Sequence, residues 1–297
     1  MKLSKNLIPI KKCPICQNNK FTNQGKVNGV HKDLKNLCNL LKCKKCKHLF
    51  LSKMPKETFL KKLYRSGSPY VFGEEHVKSF KKNLKLKNYV FNHWIYKAMK
   101  NEKKGTYLEV GPGSCELLKT FEKDGWKCEG FELSNWIKKK GLVHDINKIK
   151  KGYKQVLVFN DVLEHTTDPL SFLKKFSKFQ KTGNKLFLSY PNASSFKARF
   201  FKTKWVMVVP LAHLNFFSIE STKILLKKSG YYPLTIRETS FVIYKKLLRS
   251  IVRLPLTLII DLLNLRILDA LKRIPEIIFN ILDLIKGDQM HVIGIKK

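Results

Sequence analysis

Two glycines within residues 107–118 stand where a backbone could approach a ligand closely. The apolar segment 107–110 is typical of a short buried strand, Gly111 and Gly113 follow it, and a helical pattern begins near Glu116. Glycine adopts backbone angles that are closed to other residues. The N-terminus of the helix would offer free N–H groups and a positive dipole end to an anion. The segment therefore predicts a strand, a ligand-binding turn and a helix.

Such a turn can bind a dinucleotide or S-adenosylmethionine (SAM). Dinucleotide turns follow Gly-x-Gly-x-x-Gly, whose third glycine would stand at Glu116. The acidic Glu109, two residues before Gly111, is not part of that fingerprint. Residues 109–114, Glu-Val-Gly-Pro-Gly-Ser, resemble instead motif I of class I SAM-dependent methyltransferases, with Cys115 in place of the last glycine of that motif. An ordinary α/β fold also contains strand–turn–helix segments, so other parts of the chain must distinguish these alternatives.

A second carboxylate follows at the spacing that a nucleoside-binding fold needs. Segment 126–134 has the pattern of a second strand, and Glu132 lies 19 residues after Gly113. A carboxylate at this strand end can accept hydrogen bonds from both ribose hydroxyls. Gly-Phe-Glu-Leu-Ser resembles motif II of the same family. Asp145, after a short apolar run, stands where the family often places an acid near the adenine amine.

The segments 156–169 and 182–192 predict a fourth and a fifth strand, separated by a helix of period 3.6. Val-Leu-Glu-His, then Asp-Pro, a helix and a strand ending in Pro-Asn are similar to the small-molecule branch of class I methyltransferases. That branch includes ubiquinone-biosynthesis O-methyltransferases and enzymes of cell-surface sugar pathways. Segment 213–232 also resembles it, so the resemblance covers roughly residues 105–245 and the C-terminal strand.

This resemblance implies an α/β, Rossmann-like sheet that is mostly parallel with an antiparallel last strand. Ligands of such sheets bind beyond the carboxyl ends of the strands. The resemblance implies a SAM-binding set consisting of Glu109, Gly111, Gly113, Glu132, Asp145, Asn160 and Asp161.

Methyl transfer needs in-line positioning, and a hydroxyl or amine acceptor benefits from a nearby base. His165 and His213 are the candidate catalytic residues because histidine titrates near neutral pH, and Glu164 is a weaker candidate. His165 could instead orient the loop after the fourth strand, and His213 could be structural. Asn160 and Asp161 are placed to touch the cofactor or the acceptor, and Asp161 could equally be a buried hydrogen-bond anchor.

Two pairs of cysteines suggest a metal site near the N-terminus. Cys13-x-x-Cys16 and Cys43-x-x-Cys46 are separated by 26 residues, and two such knuckles can place four thiolates around one zinc. A redox dithiol is the alternative, and Cys38 and His48 are spare ligand candidates. Related sugar-pathway methyltransferases carry an N-terminal zinc ribbon, so the resemblance implies a structural zinc in this segment.

The net charge of +37 arises from 59 lysines and arginines against 22 acids, and only 7 of the basic residues are arginine. Such a charge suggests nucleic acid, an anionic membrane or an anionic substrate. Arginine is preferred for phosphate and base contacts, so a charge made almost entirely of lysine is weaker evidence for nucleic acid. Coding bias in an AT-rich genome is an alternative explanation of the many lysines. Nucleic acid is not expected to be the substrate, because the fourth strand lacks the Pro-Pro-aromatic loop of base-amine methylation. No cysteine lies between Gly130 and the C-terminus for C5 methylation, although ribose methylation stays open.

The composition changes along the chain predict five parts. They are a zinc ribbon (1–56), a helical linker at the cofactor entrance (57–104), the SAM-binding core (105–245), an amphipathic helical insertion (246–286) and a terminal strand (287–297). Tyr70 and Phe72 could line the entrance, or simply pack. Pro255 and Pro275 interrupt the insertion, which could be a lid, a self-association surface or a basic helix lying on a membrane.

We expect a cytoplasmic protein, because residues 1–12 lack the apolar core of a signal peptide and no run reaches 18 apolar residues. A peripheral position at the inner face of the membrane is compatible with this cytoplasmic location.

The sequence supports two functions from different classes. One is a SAM-dependent methyltransferase acting on a small molecule, such as a nucleotide-linked sugar, a surface-polysaccharide unit or a lipid-linked substrate. The other is a non-catalytic zinc-ribbon protein that recognises RNA or a membrane partner, which Cys115 and the basic charge favour.

Overall fold

The computed structural model describes residues 3–28, 35–66, 93–134, 141–150, 152–240, 254–264, 267 and 287–297. The N-terminal unit is built from five strands. They are β1 (Leu7–Pro9), β2 (Phe21–Asn28), β3 (Lys35–Cys43), β4 (Leu49–Leu51) and β5 (Lys53–Pro55). β1 pairs with β5, while β2, β3 and β4 form consecutive antiparallel pairs. The helix α1 (Glu57–Ser66) follows and buries Phe59, Leu60 and Leu63.

The main sheet contains seven strands. They are β6 (Thr106–Val110), β7 (Lys127–Phe131), β8 (Leu142–Val143), β9 (Val156–Asn160), β10 (Lys185–Pro191), β12 (Tyr231–Thr239) and β13 (Gln289–Lys296), in the order β12-β13-β10-β9-β6-β7-β8. The five neighbouring strands β10, β9, β6, β7 and β8 are parallel to one another. β13 is antiparallel to both of its neighbours, β10 and β12. The predicted mostly parallel sheet with an antiparallel last strand is confirmed. A separate short strand, β11 (Asn215–Phe216), precedes β12 and pairs with β4 of the N-terminal unit.

Helices connect the strands of the main sheet. They are α2 (Trp94–Met99), α3 (Glu116–Lys123), α4 (Pro169–Ser177), α5 (Phe196–Phe201), α6 (Ile219–Lys228) and α7 (Leu254–Leu263), with short 3₁₀ turns at Leu3–Asn6, Ile146–Lys148, Leu163–His165 and Lys202–Lys204. Local chemistry fixes where two of them begin. Asp168 caps α4 by accepting the N–H of Ser171, with proline at the first helical position, and Ser218 and Ser221 form a reciprocal capping box at α6.

The helix α7 lies in the chain between β12 and β13, as expected for a helical insertion there. Most of the expected insertion 246–286, including Pro275, falls outside the described residues, and so do Tyr70 and Phe72. Pro255 is the second residue of α7, so the described helix begins beside this proline, and the residues before Leu254 lie outside the described part of the chain. Among the described residues, no helix combines the length and the apolar character that crossing a membrane requires.

The N-terminal unit and the main sheet share one hydrophobic core. A single cluster of buried side chains joins Phe50 and Met54 of the N-terminal unit to Leu108, Leu157 and Tyr190 of the main sheet. Polar contacts also cross the same junction. The Ser218 hydroxyl donates to the carbonyl of Cys46 at 2.7 Å, the Lys228 ammonium donates to the carbonyl of Ile15 at 2.9 Å, and β11 pairs with β4. Packing therefore crosses the sequence boundary expected at residue 56.

A buried ion pair at the main sheet allows a test of how much a buried charge pair stabilises the fold. Lys154 and Glu129 are 2.8 Å apart, with side chains only 7% and 6% exposed. Replacing Glu129 by Gln leaves the ammonium buried without its counter-charge, so we expect Glu129→Gln to lower the free energy of unfolding by about 3 kcal/mol. The matched control is Glu102→Gln, which breaks the exposed pair between Glu102 and Lys185 and should cost less than about 1 kcal/mol. Urea denaturation at neutral pH measures both, and equal losses would contradict the prediction.

Candidate active site

A cavity of about 870 Å³ opens at the carboxyl ends of β6, β7 and β9. The chain leaves β6 towards β7 on one side and returns to β9 on the other, so this is the topological switch point where open α/β sheets bind ligands. The helix α1 and the loop 207–213 form the opposite wall. Of the sequence-predicted site residues, the structure places eight in this lining: Glu109, Gly111, Gly113, Glu132, Asn160, Asp161, His165 and His213.

The glycine turn adopts the conformation that its sequence requires. Gly111 and Gly113 have φ of +66° and +50°, in the left-handed region that glycine tolerates. A Cβ atom on Gly111 would lie 2.8 Å from Cγ2 of Val162 in the loop after β9. The turn therefore needs glycine at position 111 both for its backbone angle and for its close approach to the neighbouring loop.

Cys115 stands at the last position of the glycine motif in the left-handed conformation that glycine would favour. It has a left-handed φ of 61° and stands immediately before α3, with its thiol 3.4 Å from the carbonyl of Gly113. For a residue with a Cβ this conformation costs roughly 1–2 kcal/mol. The departure from glycine is thus absorbed as backbone strain at the start of α3.

Two carboxylates approach the cavity from neighbouring strands. Glu132 is 7% exposed, and its Oε1 accepts hydrogen bonds from the N–H of Ser134 at 2.9 Å and from the Ser134 hydroxyl at 2.8 Å. Oε2 takes no part in these two bonds. Glu109 is 3% exposed and accepts a hydrogen bond from the Tyr107 hydroxyl at 3.2 Å. Serine two residues after Glu132 is the local signal for this orientation, and it could have been read from the sequence.

Asn160 and Asp161 end β9 and are held by side chains from the next two strands. The Ser189 hydroxyl donates to Oδ1 of Asn160 at 2.8 Å, and the Gln289 amide donates to Oδ1 of Asp161 at 2.6 Å. Burial raises the pKa of Asp161 above its ordinary value. Gln289 also lines the cavity, and sequence reasoning missed it because β13 is distant in the chain.

His165 and His213 lie side by side, with ring centroids 4.9 Å apart. His165 donates from Nδ1 to the carbonyl of Ala212 at 2.7 Å, and His213 donates from Nδ1 to the carbonyl of Met207 at 2.6 Å. Burial, together with the neighbouring His213, lowers the pKa of His165 to about 3, and burial lowers the pKa of His213. Both rings are therefore neutral at physiological pH, and His165 makes a second backbone hydrogen bond, with Asp161.

Glu164 precedes His165 in the 3₁₀ turn and is only 1% exposed. Burial, with a further contribution from the nearby Asp161, raises the pKa of Glu164 well above its usual range. Its backbone carbonyl accepts the N–H of Leu214 at 2.7 Å, which ties the turn to the loop that carries His213.

Asp145 is not brought to the cavity. It is exposed, and its carboxylate accepts the N–H of Asn147 at 3.0 Å, which caps the 3₁₀ turn Ile146–Lys148. Aspartate often caps the turn that follows it, and this capping role explains why the Asp145 side chain stays at the 3₁₀ turn instead of reaching the cavity.

The four cysteines of the two Cys-x-x-Cys pairs converge in the N-terminal unit. Their Sγ atoms all lie within 4.8 Å of one another, with Cys13 and Cys46 3.6 Å apart and Cys16 and Cys43 3.5 Å apart. Four thiolates around a zinc at about 2.3 Å would be separated by about 3.8 Å, and disulfide sulfurs by about 2.05 Å. The cluster matches a zinc site in its donor atoms and in these distances.

The two spare ligand candidates lie outside this cluster. Burial raises the pKa of the Cys38 thiol to about 11, and Cys38 is not among the four grouped cysteines. His48 is fully buried and donates from Nε2 to Oδ1 of Asn215 at 3.1 Å. The Asn215 amide in turn donates to the carbonyl of Thr166 at 2.6 Å. His48 thus connects the cysteine unit to the loop of Glu164 and His165.

Comparison with known proteins identifies the family. A family model described as a methyltransferase domain matches residues 80–236, which is more than half of the chain, and the chain belongs to this family. No curated protein matches the chain. Among solved structures, magnesium protoporphyrin IX methyltransferase from Synechocystis, with bound S-adenosylhomocysteine (SAH), is similar with a TM-score of 0.50 and 11% identity over 82% of this chain and 100% of that chain.

Two further structures are similar at low identity. A didemethyltoxoflavin N1-methyltransferase from Burkholderia thailandensis, with its substrate and SAH bound, matches with a TM-score of 0.50 and 9% identity over 92% of this chain and 100% of that chain. A SAM-dependent methyltransferase from Thermotoga maritima, described as a possible histamine N-methyltransferase, gives a TM-score of 0.48 and 16% identity over 75% and 98% of the two chains. The protein is a class I SAM-dependent methyltransferase and an enzyme.

The close approach at Gly111 can be tested by substitution. Gly111→Ala forces a Cβ into a left-handed residue and against Val162, so the turn must shift. We expect SAH affinity to fall about tenfold, equivalent to about 1.4 kcal/mol, as measured by titration calorimetry. Gly125→Ala is the matched control, because Gly125 also has a positive φ of +89° but nothing lies within 4 Å of its Cβ position. A similar loss of SAH affinity in both variants would contradict a specific role of the turn.

Proposed function

We propose that the protein transfers the methyl group of SAM to a small-molecule acceptor that enters the cavity beside His165 and His213. The observation that carries the proposal is that one cavity is lined both by the glycine turn with Glu132 and by the two neutral histidines. Its volume of about 870 Å³ lies in the upper part of the usual range for ligand pockets, about 300–1,000 Å³. A nucleoside cofactor and a small acceptor could therefore be held together.

In this proposal the glycine turn and Glu132 hold the cofactor. The N–H groups at the start of α3 face the region of Gly111 and Gly113, and Oε2 of Glu132 accepts the ribose hydroxyls. Bound SAM supplies an activated methyl on a positively charged sulfur. The carboxylates of Glu109 and Glu132 line the same cavity and favour a cationic ligand there. Asn160 and Asp161 contact the cofactor or the acceptor, held by Ser189 and Gln289.

His165 and His213 are the proposed acceptor-side residues. His213 donates Nδ1–H to the carbonyl of Met207, so its Nε2 carries a lone pair that can share an acceptor proton, and His165 packs beside it. The acceptor class that we favour is a nucleotide-linked sugar, a surface-polysaccharide unit or a lipid-linked substrate. Lys61 and Lys175 line the cavity and would attract a phosphorylated group of such an acceptor. Two neighbours of this fold carry SAH, and one of these also carries a small aromatic acceptor.

The acceptor class is tested with methyl-labelled SAM. The enzyme is incubated with a cell extract of the source organism separated into small-molecule, lipid and RNA fractions. We expect label in the small-molecule or lipid fraction, and label only in RNA would overturn the proposal.

Glu132→Ala should weaken SAM binding at least about tenfold through loss of the ribose contact. Glu220→Ala removes an exposed acid on α6, outside the cavity lining, and should transfer label at the wild-type rate.

We further propose that the N-terminal unit is a structural zinc ribbon held by Cys13, Cys16, Cys43 and Cys46. A four-thiolate site has no open position, so the metal would stabilise the unit and take no part in methyl transfer. The fit of the donor set supports this assignment over a redox dithiol, because two matched pairs face one another.

Zinc content tests this ligand set directly. Wild-type protein should contain about one zinc per chain by plasma mass spectrometry, as expected for one four-thiolate site. The double variant Cys13→Ser/Cys43→Ser should lose it, because serine oxygen replaces two of the four thiolates. The double variant Cys38→Ser/Cys128→Ser changes two cysteines outside the cluster and should keep full stoichiometry. Zinc retained by the first double variant would exclude the proposed ligands.

The helix α7 supports a surface role for the insertion 246–286. Several of its large apolar side chains are about half exposed or more, including Leu256 at 55% and Leu263 at 78%. A lid over the cavity or a self-association surface is the role that we favour, because α7 contains Asp261 and no lysine or arginine. Peripheral contact with an anionic membrane from a cytoplasmic location is the alternative. Sedimentation with and without anionic vesicles separates them: self-association without vesicles supports the favoured role, and binding to vesicles alone overturns it.

A further inference from the structure

A second cavity lies between the N-terminal unit and the segment that follows α5. Its volume is about 570 Å³, within the usual range of about 300–1,000 Å³ for ligand pockets. Its lining consists of Lys26 and Asn28 of β2 and seven residues of the loop 203–210. The two walls meet closely beside it, because a Cβ atom on Gly25 would lie 3.4 Å from Cγ2 of Thr203. The proposed methyl transfer does not use this cavity.

The polar side chains of this second cavity can all donate hydrogen bonds. Lys26 and Lys204 are both exposed, carry a positive charge and have no acceptor atom. Asn28 and Thr203 each offer a donor as well as an acceptor oxygen, and the indole of Trp205 offers a donor only. No acidic side chain lines the cavity within the described part of the chain. A ligand that fits this set must be negatively charged and rich in acceptor oxygens.

Trp205 supplies an independent observation. Its side chain is 2% exposed, and its Nε1 has no hydrogen-bond partner among the residues that the structure describes. The ring centroid lies 5.7 Å from that of Phe216, so packing holds the indole in place. A buried N–H group without an acceptor is costly, and an oxygen of a ligand in the cavity that Trp205 lines would remove that cost.

The walls of the second cavity come from the two parts of the chain that are poorest in acids. Residues 169–219 contain no aspartate or glutamate but nine lysines and arginines, and residues 1–56 contain only Asp33 against fourteen lysines. A cleft between low-dielectric walls of one charge sign concentrates ions of the opposite sign. The surroundings therefore add to the attraction of Lys26 and Lys204 for an anion.

We propose that the second cavity binds the phosphate group of a phosphate monoester. Lys26 and Lys204 balance its charge, and Trp205 donates to one of its oxygens. A phosphate monoester carries about 1.5–2 negative charges near neutral pH and three strong acceptor oxygens. A carboxylate carries one charge and two oxygens, so it would leave more of the donors in this lining unpaired. Asn28 and Thr203 provide the remaining donors.

The phosphate site shares one wall with the active-site cavity. Val209 lines both cavities, and the same loop carries Met207, whose carbonyl accepts the Nδ1–H of His213 at 2.6 Å. A ligand in the second cavity therefore contacts the loop that orients His213. The inference goes beyond the proposed methyl transfer and does not depend on it, because Trp205 and the two lysines of the phosphate site are not part of the active-site lining.

The experiment titrates the full chain with glycerol 3-phosphate at an ionic strength of about 0.15 M and measures binding by calorimetry. Glycerol is the uncharged reference. We expect one site per chain with a dissociation constant below about 1 mM. Lys26→Gln/Lys204→Gln should weaken binding at least about tenfold, because both positive charges are lost. Trp205→Phe keeps an aromatic ring but removes the donor, and should weaken binding about fivefold or more.

The matched control is Lys20→Gln/Lys178→Gln. It removes one exposed lysine from each of the same two acid-poor segments, and neither lysine lines a cavity described above. The net charge falls by the same amount as in Lys26→Gln/Lys204→Gln, so the control should bind glycerol 3-phosphate like the wild type. SAH calorimetry on the same samples shows which variants are folded. The lysine variants change exposed side chains only, so they test the site even if Trp205→Phe does not fold.

Three results would overturn the phosphate site. One is wild-type protein that binds SAH but no glycerol 3-phosphate up to about 10 mM, ten times the expected dissociation constant. Another is equal weakening in the two double variants described above, which would show attraction by overall charge. The third is a loss of binding in Lys61→Gln/Lys175→Gln alone, which would place the phosphate in the active-site cavity.

A short-chain lipid identifies the source of the phosphate. Dihexanoyl phosphatidic acid carries the same phosphate monoester and is titrated below its micelle concentration. Val206 lines the second cavity and is 72% exposed, so acyl chains beside the phosphate would find an apolar contact there. Tighter binding than that of glycerol 3-phosphate supports the site as one for a lipid headgroup. Equal or weaker binding that still requires Lys26 and Lys204 supports it as one for a free phosphate monoester.

Discussion

The hydrogen bonds of Asn215 join the N-terminal cysteine unit to the turn after β9, and the position of the candidate site depends on this connection. Its side chain is fully buried, accepts from Nε2 of His48 at 3.1 Å and donates to the carbonyl of Thr166 at 2.6 Å. One residue thus connects the cysteine unit to the turn that carries Glu164 and His165. Buried polar groups of this kind are costly if one partner is lost, so the connection holds both sides in one relative position.

The sign of the charge inside the cavity differs from that of the chain as a whole. Acidic residues are outnumbered 59 to 22 in the sequence, yet Glu109, Glu132, Asp161 and Glu164 all line the cavity. A sulfonium cofactor is positive, and low-dielectric walls strengthen its attraction to these groups. Most lysines of the described residues are exposed and act on what approaches from outside. The cavity therefore combines acids that suit a cationic cofactor with Lys61 and Lys175, which suit an anionic group on the acceptor.

Much of the site could be predicted because its signals are local. The glycine turn, Glu132 after the second strand and the cysteine pairs are each defined within a few residues, where spacing alone fixes strand ends and knuckles. Gln289 and His48 could not be assigned in this way. Gln289 reaches Asp161 only because β13 pairs with β10 in one particular register, and His48 turns towards Asn215 only because β11 joins β4. Asp145 illustrates the opposite case, since an acid at a plausible spacing serves as a local cap.

The pairing of β4 with β11 has a consequence for biosynthesis. His48 and Asn215 are 167 residues apart in the chain, so the N-terminal unit leaves the ribosome long before the strand that covers it. At roughly 5–20 residues per second, that interval lasts roughly 10–30 s. During this time the edge of β4 and its apolar neighbours lack their native cover, and a metal bound early by the cysteines would help to order the nascent segment. The speed of translation and the supply of that ion would then jointly decide how much of the newly made chain avoids aggregation.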